Sequence, residues 1–76
     1  MKIENGDIIL CAGGALVMIL DHLDSIYQTL YVEKEEYNYV TNKHFFRTNL
    51  GQSKEVLAAY YAARSIHLRL NRIGKV

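Results

Sequence analysis

Two short apolar runs open the chain and predict a pair of antiparallel strands. Residues 7–12 and 15–20 are rich in aliphatic side chains, and Gly13 and Gly14 separate them. A Gly-Gly pair favours a two-residue hairpin loop, because the turns that fit such a loop need positive φ angles. Both runs are apolar on both faces, so we expect the strands to be covered on two sides. One cover is a helix, and the other is either closure of a barrel or a second subunit.

Alternation of apolar and polar residues predicts two further strands. Residues 26–33 alternate with a period of two, and residues 37–41 alternate again after a charged turn, which is the pattern of half-buried strands. Polar residues 21–25 predict the preceding turn. The pair Phe45 and Phe46 either extends the sheet or plugs one end of it.

The second half of the chain predicts one long helix over about residues 54–73. Ser53 is a suitable N-cap, and Glu55 lies in the first turn, where the helix dipole favours an anion. The main apolar stripe has helical spacing and consists of Val56, Ala59, Ala63, Ile66, Leu70 and Ile73. A second stripe lies more than about 100° away around the helix and consists of Leu57, Tyr61 and Leu68.

These elements predict an α+β fold in a single domain over residues 1–76. A small antiparallel sheet, a meander of three or four strands within residues 7–47, is followed by one long C-terminal helix packed on it. The sheet either stays open or closes in part like a barrel. The opening Gly6-Asp7-Ile8-Ile9 and the meander after it resemble SH3-type small barrels over the first strands only. Because a long terminal helix is not part of that barrel, the resemblance assigns no functional residue here.

Composition and charge narrow the class of protein. Half of the 76 residues are apolar and none is proline, which excludes an intrinsically disordered chain. The net charge of +1 conceals two opposite halves. Residues 1–40 contain two cations and seven anions, whereas residues 41–76 contain seven cations and one anion. This asymmetry indicates self-association or an oriented partner, with an acidic sheet face of one copy against the basic helix of another.

The chain contains little that predicts targeting or catalysis. The longest uncharged run, residues 8–20, is shorter than the roughly 18–20 residues of a membrane span, so we expect no membrane insertion. The single cysteine, Cys11, indicates a reducing cytoplasm and lies in an apolar run that disfavours a thiolate. His22 stands between two aspartates, but no zinc or calcium spacing surrounds it. We therefore expect no enzyme, no catalytic residue, no metal and no cofactor.

Basic residues make nucleic-acid binding the alternative function. The candidate residues are Lys43, Arg47, Arg64, Arg69, Arg72 and Lys75. Several tyrosines of the predicted sheet offer stacking surfaces for bases. The sequence pI of about 7.9 is low for this class, whose domains often exceed a pI of about 9.

The second helical stripe favours protein binding as the main function. Tyr61 and Leu68 lie near Arg64 and Arg72 on the predicted helix, and Leu57 completes the set. Tyrosine and arginine are enriched at the centres of protein interfaces. The alternative is that both stripes are buried within the domain itself. The sequence thus predicts a small regulatory protein, such as an accessory protein of a phage or mobile element, that binds another protein, forms a homodimer, or does both.

Overall fold

The computed structural model of the chain describes residues 3–47 and 53–74. In chain order the elements are β1 (Ile8–Cys11), β2 (Leu16–Leu23), β3 (Ile26–Tyr31), β4 (Glu36–Thr41), a 3₁₀ turn η1 (Asn42–His44), β5 (Phe45–Arg47) and α1 (Lys54–Gly74). This order confirms the predicted α+β fold, an antiparallel meander followed by one long helix. The structure adds β5, a short strand formed where the Phe45-Phe46 pair is predicted to extend or plug the sheet.

The strands form one open antiparallel sheet in the order β4-β3-β2-β1-β5. The first four strands are consecutive neighbours, and β5 returns to the free side of β1, where Leu10 lies opposite Arg47 and Cys11 opposite Phe45. Within the described residues β4 pairs only with β3, and β5 pairs only with β1. The two edge strands therefore do not join, and the barrel is not closed.

The loop between β1 and β2 is one residue longer than predicted. The N–H of Cys11 donates to the carbonyl oxygen of Ala15 at 2.7 Å, and the N–H of Gly14 donates to the carbonyl oxygen of Cys11 at 3.0 Å. The loop thus consists of Ala12, Gly13 and Gly14. Both glycines have φ near +90°, so the prediction that the glycine pair turns the chain is right, whereas the two-residue length is wrong.

The predicted turn over residues 21–25 is also shorter in the structure. Strand β2 continues to Leu23, and only Asp24 and Ser25 connect it to β3. Asp24 has a φ of +56°, a conformation that aspartate tolerates because its side chain can hydrogen-bond locally. The prediction is therefore confirmed at Asp24 and Ser25, whereas residues 21–23 belong to an exposed stretch of strand.

The sheet carries a hydrophobic core on each face. On one face α1 packs against β1, β2 and β3. The buried residues of this core are Ile8, Met18, Leu30, Ala59 and Ala63. The buried residues of the opposite core are Ile9, Cys11, Val17 and Ile19. Strands that are apolar on both faces are therefore covered on two sides, as predicted.

Curling of the sheet covers the face that α1 leaves free. The rings of Tyr27 on β3 and Phe45 on β5 have centroids 5.2 Å apart. Two strands separate β3 from β5, so in a flat sheet their backbones would be about 14 Å apart. The sheet must curve for these rings to meet over Ile9 and Ile19, so it resembles a barrel in its curvature although its edges stay apart.

Candidate protein-binding surface

The second apolar stripe of α1 lies on the solvent side of the helix. Leu57, Tyr61 and Leu68, hereafter the outer stripe, expose 45%, 61% and 58% of their surface. At about 100° per residue they lie opposite Ala59 and Ala63, which are buried against the sheet. The alternative in which the domain buries both stripes is therefore not what the described residues show.

Two arginines flank the outer stripe. Arg64 lies four residues before Leu68 and Arg72 four residues after it, and both side chains are exposed. Helical geometry places Arg64 on one side of the stripe and Arg72 on the other. The Tyr61 ring is supported by Tyr60, in an edge-on contact with centroids 5.4 Å apart. The result is an apolar centre with a cationic border, a composition that suits a protein interface.

Polar contacts fix the C-terminal half of α1 to the β3–β4 hairpin. Asn71 Nδ2 donates to His67 Nε2 at 3.3 Å. The Nδ1–H of His67 is then free to donate to Tyr37 Oη, 2.8 Å away. Arg69 forms an ion pair with Glu35 in the turn before β4. Because these contacts lie beside the outer stripe, they hold its orientation relative to the sheet.

A second uncovered apolar surface lies on the same face of the sheet as α1. Leu23, Ile26 and Tyr39 expose 53%, 42% and 60% of their surface. Leu23 lies directly opposite Ile26, and Tyr39 lies directly opposite Gln28. Directly paired residues share a face, as do alternate residues of one strand.

The face of these residues follows from the buried Leu30. Ile26, Gln28 and Leu30 alternate along β3, and Leu30 belongs to the core beneath the helix. Asp21 lies directly opposite Gln28, so it shares this face. Its side chain is exposed. The surface of Asp21, Leu23, Ile26 and Tyr39 is hereafter the sheet patch.

An irregularity in β2 creates the sheet patch. The register between β2 and β3 shifts between Ile19 and Asp21, so that Leu20 is an extra residue on one strand. Such a bulge reverses the alternation of faces beyond it. Without it Leu23 would point to the curled face and His22 to the helix face. Sequence reasoning missed this surface, because a bulge leaves no clear signal in a run of polar residues.

The basic residues proposed for nucleic acid lie on separate parts of the molecule. Lys43 is exposed in η1, and Arg64 and Arg72 flank the outer stripe. Arg69 is engaged with Glu35. The side chain of Arg47 and the whole of Lys75 lie outside the described residues. The structure brings Arg64, Arg72 and the outer stripe together on α1, whereas Lys43 is on a different element.

Cys11 and His22, the residues considered for catalysis or metal binding, both pack against other side chains of the sheet. Cys11 is buried, and this burial raises the pKa of its thiol. The His22 ring stacks on Tyr27 with centroids 4.4 Å apart and lies in β2 rather than in a turn. Among residues 3–47 and 53–74 no three His, Cys, Asp or Glu side chains cluster as metal ligands would.

The chain was also compared with known proteins. Family models, curated proteins and solved structures yielded no match. Within the described residues no helix combines the length and apolar character needed to cross a membrane.

Proposed function

We propose that this chain is a non-catalytic interaction protein that binds a protein partner through the outer face of α1. The observation that carries the proposal is the exposure of the outer stripe, about half of each side chain, along a helix whose opposite face is already buried. Burial of apolar surface is the main favourable contribution to most protein–protein association. A helix of 21 residues with an apolar stripe on each side has one stripe available for a partner.

The arrangement of charges supports a protein partner over a nucleic acid. Arg64 and Arg72 border an apolar centre, as cations do at the rim of protein interfaces. Phosphate binding instead favours a continuous row of cations. Arg69 is paired with Glu35, and Lys43 lies on a separate element, so the nucleic-acid alternative has less support.

We also propose that the chain acts in the cytoplasm, as an accessory protein. A lone, buried Cys11 without a disulfide partner suits a reducing cytoplasm. A compact, tyrosine-rich chain without proline suits the proposed role as a small accessory protein of a phage or mobile element.

Affinity purification with matched variants tests the proposal. The tagged chain is expressed in the cells that carry its gene, either unchanged, with Tyr61→Gln and Leu68→Gln, or with Ala62→Gln as the control. All three positions are exposed on α1, but Ala62 lies about 120° around the helix from the outer stripe. We expect the unchanged chain and the control to retain a protein partner, which can be an untagged copy of the chain itself. We expect the outer-stripe variant to lose that partner.

Two results would contradict the proposal. One is the same set of retained proteins for all three forms, which would mean that the outer stripe binds nothing. The other is retention that disappears after nuclease treatment, because a nucleic acid would then bridge the tagged chain and the retained protein.

A further inference from the structure

Among the described residues, two exposed apolar surfaces, one beside arginines and the other beside aspartates, lie on the same side of the molecule. We propose that the outer stripe binds the sheet patch of a second copy, in a two-fold dimer whose helices lie side by side between the two sheets. This inference rests on the proposed function and names its partner.

The layering of the chain permits this arrangement. The inner face of α1 packs on its own sheet, so the outer stripe points away from that sheet. The sheet patch lies on the face that carries α1 and remains exposed. When two copies stand face to face, each helix enters the layer beside the other. A helix with its side chains is about 10–12 Å across, so its outer side reaches the opposite sheet.

Charge complementarity favours contact of the outer stripe with the sheet patch of the second copy, rather than with the outer stripe of that copy. The outer stripe is bordered by Arg64 and Arg72, whereas the sheet patch contains Asp21 and adjoins Asp24 in the following turn. Contact between two outer stripes would bring arginines of both copies together. Like charges across an interface disfavour a complex, and opposite charges favour it. The stripe-to-patch contact is the complementary one.

Two-fold symmetry uses both surfaces of both copies. The outer stripe of each copy covers the sheet patch of the other, so the contact occurs twice and the assembly closes at two. The basic surface of each copy thereby meets the acidic surface of the other, and no open filament forms. Three side chains at the centre of each contact indicate a small interface, in the class below about 1,200 Å² in total. We expect dimerisation at micromolar rather than nanomolar concentration.

Sedimentation of the purified full chain and matched variants tests the dimer. The first variant carries Tyr61→Gln and Leu68→Gln in the outer stripe. The second carries Ile26→Thr and Tyr39→Thr in the sheet patch, and the control carries Ala62→Gln, an exposed position about 120° around the helix from the outer stripe. Circular dichroism checks the fold of each protein. We expect the unchanged chain and the control to dimerise with the same dissociation constant, and both other variants to dimerise at least about tenfold more weakly, which corresponds to about 1.4 kcal/mol.

Chemical crosslinking then tests which surfaces meet. A Tyr61→Cys variant is mixed with a Tyr39→Cys variant and treated with a short bismaleimide; Cys11 is buried and should react little. We expect a crosslinked dimer in the mixture and little in Tyr61→Cys alone, because the two outer stripes point in opposite directions. Equal crosslinking of Tyr61→Cys alone would overturn the stripe-to-patch contact.

The failures of the two proposals are distinguishable. A monomeric unchanged chain at every concentration, or a sheet-patch variant that dimerises normally, would overturn the dimer. Neither result affects the affinity purification. If the unchanged chain retains a protein other than a second copy of itself, and the outer-stripe variant does not, binding through α1 is still supported. If that purification also yields nothing specific to the outer stripe, then both proposals are wrong.

Discussion

Cys11 shows how the curled sheet controls the chemistry of a single residue. Its side chain lies among Ile9, Val17 and Ile19 on the face away from α1. Removal from water disfavours the charged thiolate, so the pKa of the thiol is raised. The residue therefore packs as a small apolar side chain in this core.

Slow alkylation of Cys11 is the prediction at this scale. A raised pKa lowers the thiolate fraction at any pH below it, and burial excludes the reagent. At about pH 8, iodoacetamide should label the native chain at least about tenfold more slowly than the urea-unfolded chain, and the native rate should increase with pH. Mass spectrometry follows the labelling, and Cys11→Ala is the blank. Equal rates in the native and unfolded chains would contradict the burial of this side chain.

At the scale of elements, the start of α1 depends on its cap. The Oγ of Ser53 accepts a hydrogen bond from the N–H of Val56 at 3.2 Å, and the carbonyl oxygen of Ser53 accepts one from the N–H of Leu57 at 3.1 Å. These bonds order the first turn. Since Leu57 begins the outer stripe, the cap also sets where the proposed binding surface starts.

Ser53→Ala should lower the free energy of unfolding by about 1 kcal/mol, because a helix N–H loses its acceptor. Urea denaturation measures the change. The matched control is Ser65→Ala, an exposed position in the middle of α1, where alanine is the better helix former and the free energy should stay the same or increase slightly. Equal losses for both variants would mean that Ser53 does not cap the helix.

The helix was more predictable from the sequence than the sheet. An uninterrupted 3.6-residue pattern, a capping serine and an acidic first turn are all local signals, and the predicted range of about 54–73 matches Lys54–Gly74. The bulge in β2 depends instead on how β2 and β3 register against each other. Residues 21–23 have the polar composition of a turn, so a local pattern assigns them to one. The outer stripe was therefore visible in the sequence, whereas the sheet patch was not.

At the scale of the whole molecule, the fold partly neutralises the opposite charges of the two halves of the chain. The ion pair of Glu35 with Arg69 joins the acidic β3–β4 turn to the basic helix within one copy. Arg64 and Arg72, together with Asp21 and Asp24, remain exposed on α1 and on the β2–β3 hairpin. Those four charged side chains lie beside the two exposed apolar surfaces, where they can orient a protein contact.

The same distribution of charge predicts weak or absent binding to nucleic acid. Arg69 is engaged, Lys43 lies apart from the helix, and Arg64 and Arg72 are separated by apolar side chains. In a mobility-shift assay at low salt we expect no retardation of single- or double-stranded DNA or RNA at micromolar protein. If retardation occurs, its salt dependence decides its origin, because each phosphate contact adds about 0.7–0.9 to the slope of log affinity against log salt. A steep slope that Arg64→Gln with Arg72→Gln reduces by one to two would assign these arginines to phosphates, and the outer face of α1 would then be a nucleic-acid surface rather than a protein-binding one.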